Sequence, residues 1–279
     1  MTYREALNYG ENILSEAGIA DAATDSRILL FEALGITREE YYQDPWEEIS
    51  DEKEESFRIL IGKRAQRIPL QYMLGKASFM GLTFKVDSNV LIPRMDTEIL
   101  VLEAQKRLFP GNRVLDMCTG SGCILISLLK GESTLEGVGS DISKQAILVA
   151  RENAVSNEVK ASWVTGNMFE KTDGCFDMIV SNPPYIRSKD MGSLMPEIRD
   201  FEPPNALDGG EDGLSFYRIL AKDGKGHLKE GGTIAMEIGA DQGDDVYGIF
   251  EDEGYKDIEI VMDLAGHDRV VLARRGNEK

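Results

Sequence analysis

At 279 residues the chain exceeds what one modest core requires, and a prior of about 150 residues per domain points to two domains. Hydrophobic residues make up 42% and charged residues 29%, which excludes a collagenous, mucin-like or wholly disordered protein. The 31 Lys and Arg against 49 Asp and Glu give a formal charge of −18, which disfavours a nonspecific grip on the phosphate backbone of nucleic acid.

Residues 1–12 carry Arg4, Glu5 and Glu11 with no apolar block, so they do not read as a secretory leader and the expected location is the cytoplasm. Up to residue 75 the apolar positions recur at helical spacing, as in Ala6, Leu7, Gly10, Ile13, Leu14 and Ala17. Thr2 with Glu5 and Thr37 with Glu40 have the separation of a capping box and mark helix starts. From Glu39 to Glu55 nine acidic residues stand against Lys53 alone, and Arg58, Lys63, Arg64 and Arg67 follow. Acid before base suits the dipole of a solvated helix over 50–67; a docking surface is the alternative.

Over 76–95 the texture changes to apolar–polar alternation around Gly81, which predicts a β-hairpin linking a helical domain at 1–75 to a second domain at 96–279. Beyond it, strands expected at 113–117, 137–141, 161–165, 177–181 and 233–238 alternate with helical stretches. That order predicts an α/β fold with a mostly parallel sheet and helices on both faces. The apolar run 124–129 is interrupted by Ser127 and ended by Lys130, far short of the roughly 20 residues a membrane helix needs. Two last strands at 257–262 and 269–273, across a turn at Ala265, Gly266 and His267, can pair antiparallel at the end of the sheet. Cys118, Cys123 and Cys175 show no CxxC spacing and are expected as free thiols. His227 and His267 are expected at the surface, and neither has metal-ligand spacing, so no metal is assigned.

Two constellations carry chemistry. In the first, the strand Val114-Leu115-Asp116-Met117 runs through Cys118-Thr119-Gly120-Ser121-Gly122 into a helix, a turn where backbone can approach a ligand closely. Asp141 follows Gly122 by 19 residues and ends the second strand, where a carboxylate can accept from both hydroxyls of a ribose. A dinucleotide fingerprint would need a third spaced glycine, which residues 124–128 lack, so pyrophosphate binding loses ground.

The second is Ile179-Val180-Ser181-Asn182-Pro183-Pro184-Tyr185 at the carboxyl end of the fourth strand, the edge where open sheets place their active sites. The Asn182 side chain and the Pro183 carbonyl can accept the two hydrogens of a target NH2, and Tyr185 can stack on a flat group. A proline-rich turn with a packed tyrosine is the structural alternative, disfavoured by the neighbouring nucleoside signature.

With these motifs in this order, the sequence resembles the class I methyltransferases that use S-adenosylmethionine. More narrowly it is similar to protein glutamine methyltransferases of the PrmC/HemK type. Further segments of that resemblance are Pro69-Leu70-Gln71-Tyr72, Leu91-Ile92-Pro93-Arg94 with Asp96-Thr97-Glu98, Phe201-Glu202-Pro203, Asp212-Gly213-Leu214 and Ala265-Gly266 with Arg269-Val270. The resemblance implies a Rossmann-like methyltransferase sheet behind a small N-terminal helical bundle that selects the protein substrate. It implies methylation of the glutamine in the Gly-Gly-Gln loop of class I peptide chain release factors, without membrane or direct nucleic-acid partners. Cofactor contacts are implied for Asp116, Cys118, Thr119, Gly120, Ser121, Gly122, Asp141, Asn167 and Asn182, with Thr97 and Met168 as further candidates. Catalytic and substrate contacts fall to Asn182, Pro183 and Tyr185, with Pro184 beside the substrate.

Three positions depart from the family pattern. Cys118 stands where the turn usually has its first glycine, which suggests a position that does not require positive φ. Met95 replaces a usual proline, and Asn167 replaces a common aspartate, trading a carboxylate for an uncharged acceptor. The rival functions are methylation of an exocyclic amine on a nucleic-acid base, and a catalytically silent module that keeps the fold.

Overall fold

The computed structural model describes residues 1–276. They form two compact units, Met1–Leu74 with Met195–Phe201, and Gly75–Leu194 with the described residues from Glu202 onward.

The first unit holds α1 (Tyr3–Glu16), α2 (Ala22–Leu34), α3 (Arg38–Gln43), α4 (Asp51–Ala65) and α5 (Leu70–Leu74). Both capping boxes form: Thr2 and Thr37 accept from the backbone of Glu5 and Glu40, whose carboxylates accept in return from the cap nitrogens. Leu14, Leu29, Leu30, Phe57 and Ile61 fill the core between α1, α2 and α4. Gly10 permits their close approach, since a Cβ there would lie 2.3 Å from Ser26 Oγ and 2.9 Å from Phe57. In α4 the acidic residues Asp51, Glu52 and Glu54 occupy the first turn and Lys63 and Arg64 the last, matching the dipole. The helix is not simply solvated, however. Arg64 is buried and donates to Asp25 Oδ2 at 2.7 Å and to Glu197 Oε1 at 3.1 Å, while Arg67 reaches Glu197 Oε2 at 2.8 Å. That ion-pair network is why residues 195–201 belong with the helices rather than with the continuous second domain expected at 96–279.

The second unit opens with the expected hairpin, β1 (Lys76–Phe79) paired antiparallel with β2 (Leu82–Lys85). Met80 and Gly81 at its tip have φ of 49° and 73°, the left-handed pair of a type I′ turn. Beyond the expected connection, the hairpin is packed: Phe79 and Phe84 are fully buried in a core with Leu100, Val101 and Leu125. There follow α6 (Thr97–Gln105), β3 (Arg113–Met117), α7 (Cys123–Gly131), β4 (Glu136–Asp141), α8 (Lys144–Ser156), β5 (Ser162–Thr165), β6 (Phe176–Ser181) and the short α9 (Pro196–Arg199) of the first unit. The chain then continues through α10 (Ser215–His227), β7 (Leu228–Glu237), α11 (Gly243–Asp252), β8 (Lys256–Met262) and β9 (Asp268–Arg274).

Seven strands lie in the order β5-β4-β3-β6-β7-β9-β8. The first five are parallel, and β9 runs antiparallel between β7 and β8. This is the Rossmann-like, mostly parallel sheet with an antiparallel closing strand that the sequence predicts. Strand β7 starts five residues before its expected position at 233, because Leu228 already pairs with Phe176 ahead of a register shift. Among the described residues no helix is long and apolar enough to cross a membrane. His267 is exposed as expected, whereas His227 is half-buried, its ring stacked on Phe169 at 4.8 Å and its Nδ1 buried.

Candidate active site

Chain order reverses between β3 and β6: β4 and β5 extend the sheet to one side, β7 to the other. Such a switch point leaves a crevice at the carboxyl edge of the strands, where a cavity of about 440 Å³ opens. Its floor is the turn joining β3 to α7. Thr119 N donates to Ser140 O at 3.0 Å, and Gly120 N donates to Asp141 Oδ2 at 2.9 Å. Gly122 caps α7 with φ 80°, and a Cβ there would sit 3.0 Å from Ile126 and 3.1 Å from Trp163. From α8, Asn153 Nδ2 donates to Ser121 O at 2.9 Å and ties the turn to the hairpin through Lys85.

Two sequence expectations fail in this turn. Cys118 has φ 62°, so the position does use the left-handed region. The conformation costs an L-residue roughly 1–2 kcal/mol, and the side chain packs against the core that holds Met117 and Met168. Asp116, expected at the cofactor, does not line the cavity. It is fully buried, with Oδ2 accepting from Thr119 Oγ1 at 2.6 Å and Oδ1 without a hydrogen-bond partner among the described residues, and burial pushes its carboxyl up to about 7.

The other turn candidates, Cys118, Thr119, Gly120 and Ser121, line the cavity, while Gly122 lies behind them as the helix cap. Asp141 lines it too, fixed by Gly120 N on one oxygen and by Ser143 N at 2.8 Å on the other. Burial raises the Asp141 carboxyl above its ordinary value, against the backbone N–H groups of Ser143, Gly120 and Ile142. Thr97, Asn167 and Met168 complete the set; Asn167 Nδ2 also donates to Glu170 at 3.3 Å. Burial pushes the Cys123 thiol up to about 12 and the Cys118 thiol higher, so neither offers a thiolate at neutral pH.

Asn182 and Pro184 line the cavity, whereas Pro183 is buried and Tyr185 is half-buried outside the lining. Asn182 Nδ2 donates to Thr97 Oγ1 at 3.2 Å, and Thr97 Oγ1 donates to Glu237 Oε2 at 2.5 Å. The Tyr185 hydroxyl donates to Glu237 Oε1 at 3.2 Å, and burial raises its pKa. Among the described residues no group donates to Asn182 Oδ1 or to the Pro183 carbonyl, so both acceptors remain free. Arg94, in the lining, pairs with buried Glu202, which brings together two segments that the sequence singles out 108 residues apart.

Sequence reasoning missed Glu237, Ser143 and Asn153. Glu237 had a signal, a lone carboxylate closing the apolar strand Thr233-Ile234-Ala235-Met236 at the functional edge of the sheet. The other two act by bonding backbone brought close only in the folded chain.

Comparison with known proteins gives the same fold a family. Residues 5–75 match the PrmC N-terminal domain, and residues 87–198 match the methyltransferase small domain. A release factor glutamine methyltransferase of Geobacter sulfurreducens is 41% identical over 99% of this chain and 97% of its own length. Its counterpart in Agrobacterium fabrum is 40% identical over 94% of this chain and 93% of its own length. Among solved structures, a methyltransferase from Pyrococcus furiosus superposes with a TM-score of 0.57 at 19% identity, covering 77% of this chain and all of that one, a likeness of fold. Similarity at this level along the whole length means that the chain belongs to the release factor glutamine methyltransferase family.

Proposed function

We propose that the chain transfers a methyl group from S-adenosylmethionine to the side-chain amide nitrogen of the glutamine in the Gly-Gly-Gln loop of class I peptide chain release factors. The observation that carries this reading is the Asn182 amide, anchored through Nδ2 with Oδ1 left free beside the free Pro183 carbonyl. Two acceptors on adjacent residues match the two hydrogens of a primary amide and can hold its nitrogen in one orientation.

The cavity fits the cofactor on its own chemistry. Each Asp141 oxygen accepts one backbone N–H and keeps capacity for a ribose hydroxyl. The lining has a single basic residue, Arg94, already paired with Glu202, which suits a nucleoside without phosphates better than a dinucleotide. Asp141 and the 118–121 turn would hold it, with Thr97, Asn167 and Met168 beside them. When bound, S-adenosylmethionine supplies an electrophilic methyl on a positively charged sulfur. The chain's task is alignment and exclusion of water: Asn182 and Pro183 would hold the amide nitrogen toward that methyl, and on accepting it the nitrogen would release one proton to solvent. Residues 1–75 would select the protein substrate in the cytoplasm.

Labelled methyl transfer to intact release factor, to the same protein with its loop glutamine replaced, and to RNA and DNA tests the reading. Label is expected only on the intact factor. Asn182→Ala should lower the single-turnover rate by about a hundredfold or more, the usual cost of misaligned reacting atoms. Label on nucleic acid, or an unchanged rate in Asn182→Ala, overturns it.

A further inference from the structure

We propose that Glu237 is a positioning residue that sets which end of the Asn182 amide faces the substrate, acting through the Thr97 hydroxyl; the inference rests on the glutamine-methylation reading. Glu237 closes β7, Thr97 starts α6, and Asn182 follows β6. The three meet in a chain in which Asn182 Nδ2 donates to Thr97 Oγ1 and Thr97 Oγ1 donates to Glu237 Oε2. Thr97 and Glu237 are both buried, so water does not compete for the bond between them.

The direction of this chain follows from donor counting. A glutamate side chain in its ionised form only accepts hydrogen bonds, and a threonine hydroxyl has one proton. That proton goes to Glu237, leaving Thr97 Oγ1 to meet Asn182 with lone pairs alone. An amide turned the other way would set Oδ1 against those lone pairs and lose its bond, so Nδ2 takes the contact and Oδ1 is left for the substrate. The second Glu237 oxygen accepts from the Tyr185 hydroxyl, so one carboxylate anchors both polar residues of the Asn-Pro-Pro-Tyr segment. Burial raises the Glu237 carboxyl above its ordinary value, and the bonds from Thr97 and Tyr185 together with the positive charge of the mostly buried Arg269 oppose that rise by favouring the ionised form.

Glu237→Gln is the discriminating change, because it keeps shape but adds donors. Its NH2 can donate to Thr97 Oγ1, freeing the threonine proton to donate to Asn182 Oδ1 and permitting the reversed amide. Thr97→Val removes the link, and Thr97→Ser retains it. Three readouts on the full-length chain separate the possibilities: hydrogen exchange of the Asn182 side-chain NH2 by NMR, the dissociation constant for S-adenosylhomocysteine, and the single-turnover rate on release factor. Glu237→Gln and Thr97→Val should each abolish protection of the Asn182 NH2 and slow transfer about tenfold or more, and Glu237→Gln, at a residue outside the cavity lining, should keep cofactor-product affinity within about twofold. The double variant should be no slower than the slower single one, and Thr97→Ser should restore protection and most of the rate lost in Thr97→Val. Unchanged NH2 exchange in Glu237→Gln, or rate losses that multiply in the double variant, overturns the proposal. A wild-type protein that protects the Asn182 NH2 but transfers no methyl to release factor supports the positioning role and refutes the function reading instead.

Discussion

Asp116 ties the stability of the folded chain to pH. The carboxyl is fully buried and only one of its oxygens has a hydrogen-bond partner among the described residues, so burial lifts it to about 7 in the folded chain from an ordinary value of 3.8. Between those two values the folded state holds a proton that the unfolded state has released, so stability falls as pH rises through that window. Asp141 opposes ionisation further, since its charge lies close enough to raise Asp116. Asp116→Asn should flatten this fall while keeping an oxygen that can accept from Thr119. Chemical denaturation of wild type and variant from pH 5 to 8 reads the difference; parallel curves across that range would dismiss the assignment. Cys118 shows the limit of reading one residue at a time. Its identity argued against positive φ, yet strand β3 must leave the sheet abruptly for the turn to reach Ser140 and Asp141, and side-chain packing offsets the local strain.

At the scale of elements, charges that look like surface decoration in sequence become internal fasteners. Arg64 and Arg67, the trailing basic residues of the α4 segment, hold Glu197, with Asp25 on the other side of Arg64. Burial alone would raise the Glu197 carboxyl, but its backbone N–H and the guanidinium groups of Arg64 and Arg67 bring it below its ordinary 4.5. A depressed carboxylate contributes stability that is complete above that value and is lost as pH falls through the folded pKa. Arg64→Ala should therefore destabilise the helical unit by about 3 kcal/mol, since it leaves the buried Asp25 carboxylate without its partner and Glu197 with Arg67 alone. Wild type should lose part of its stability below pH 4.5 while Arg64→Ala changes less over the same range. Urea titrations at pH 4 and 7 compare the two, and an Arg64→Ala protein as stable as wild type would show the network to be inert. The strands and both capping boxes were legible because period-two alternation and threonine–glutamate spacing are local signals. The hairpin's burial and the place of residues 195–201 were not, because each depends on partners far away in sequence. Within the site, the glycine turn, Asp141 and Asn182 could be found from sequence alone. Glu237 was overlooked because a carboxylate at a strand end shows its partners, Thr97 and Tyr185, only when three chain segments converge.

For the whole molecule, the division into two units separates the cavity from the helices that are proposed to choose the protein substrate. Every residue that lines the cavity falls between Asn89 and Phe216 in the second unit, and none comes from residues 1–74 or 195–201. The cavity lining is thus complete without the helical unit, which has its own core of Leu14, Leu29, Leu30, Phe57 and Ile61 and no part in the lining. Deleting residues 1–74 removes every partner of the Glu197 side chain, so the deletion is best combined with Glu197→Gln to avoid leaving an orphan charge. The remaining chain should bind S-adenosylhomocysteine within about threefold of the full-length affinity, a change under about 0.7 kcal/mol. Its kcat/KM on intact release factor should fall by at least about tenfold, the signature of recognition energy lost without damage to the nucleoside site. Calorimetry and initial-rate methylation measure the two quantities on the same preparation. Full catalytic efficiency on the intact factor would remove the recognition role from the helices, and a loss of cofactor-product affinity as large as the loss of efficiency would mean that they support the site rather than select its substrate.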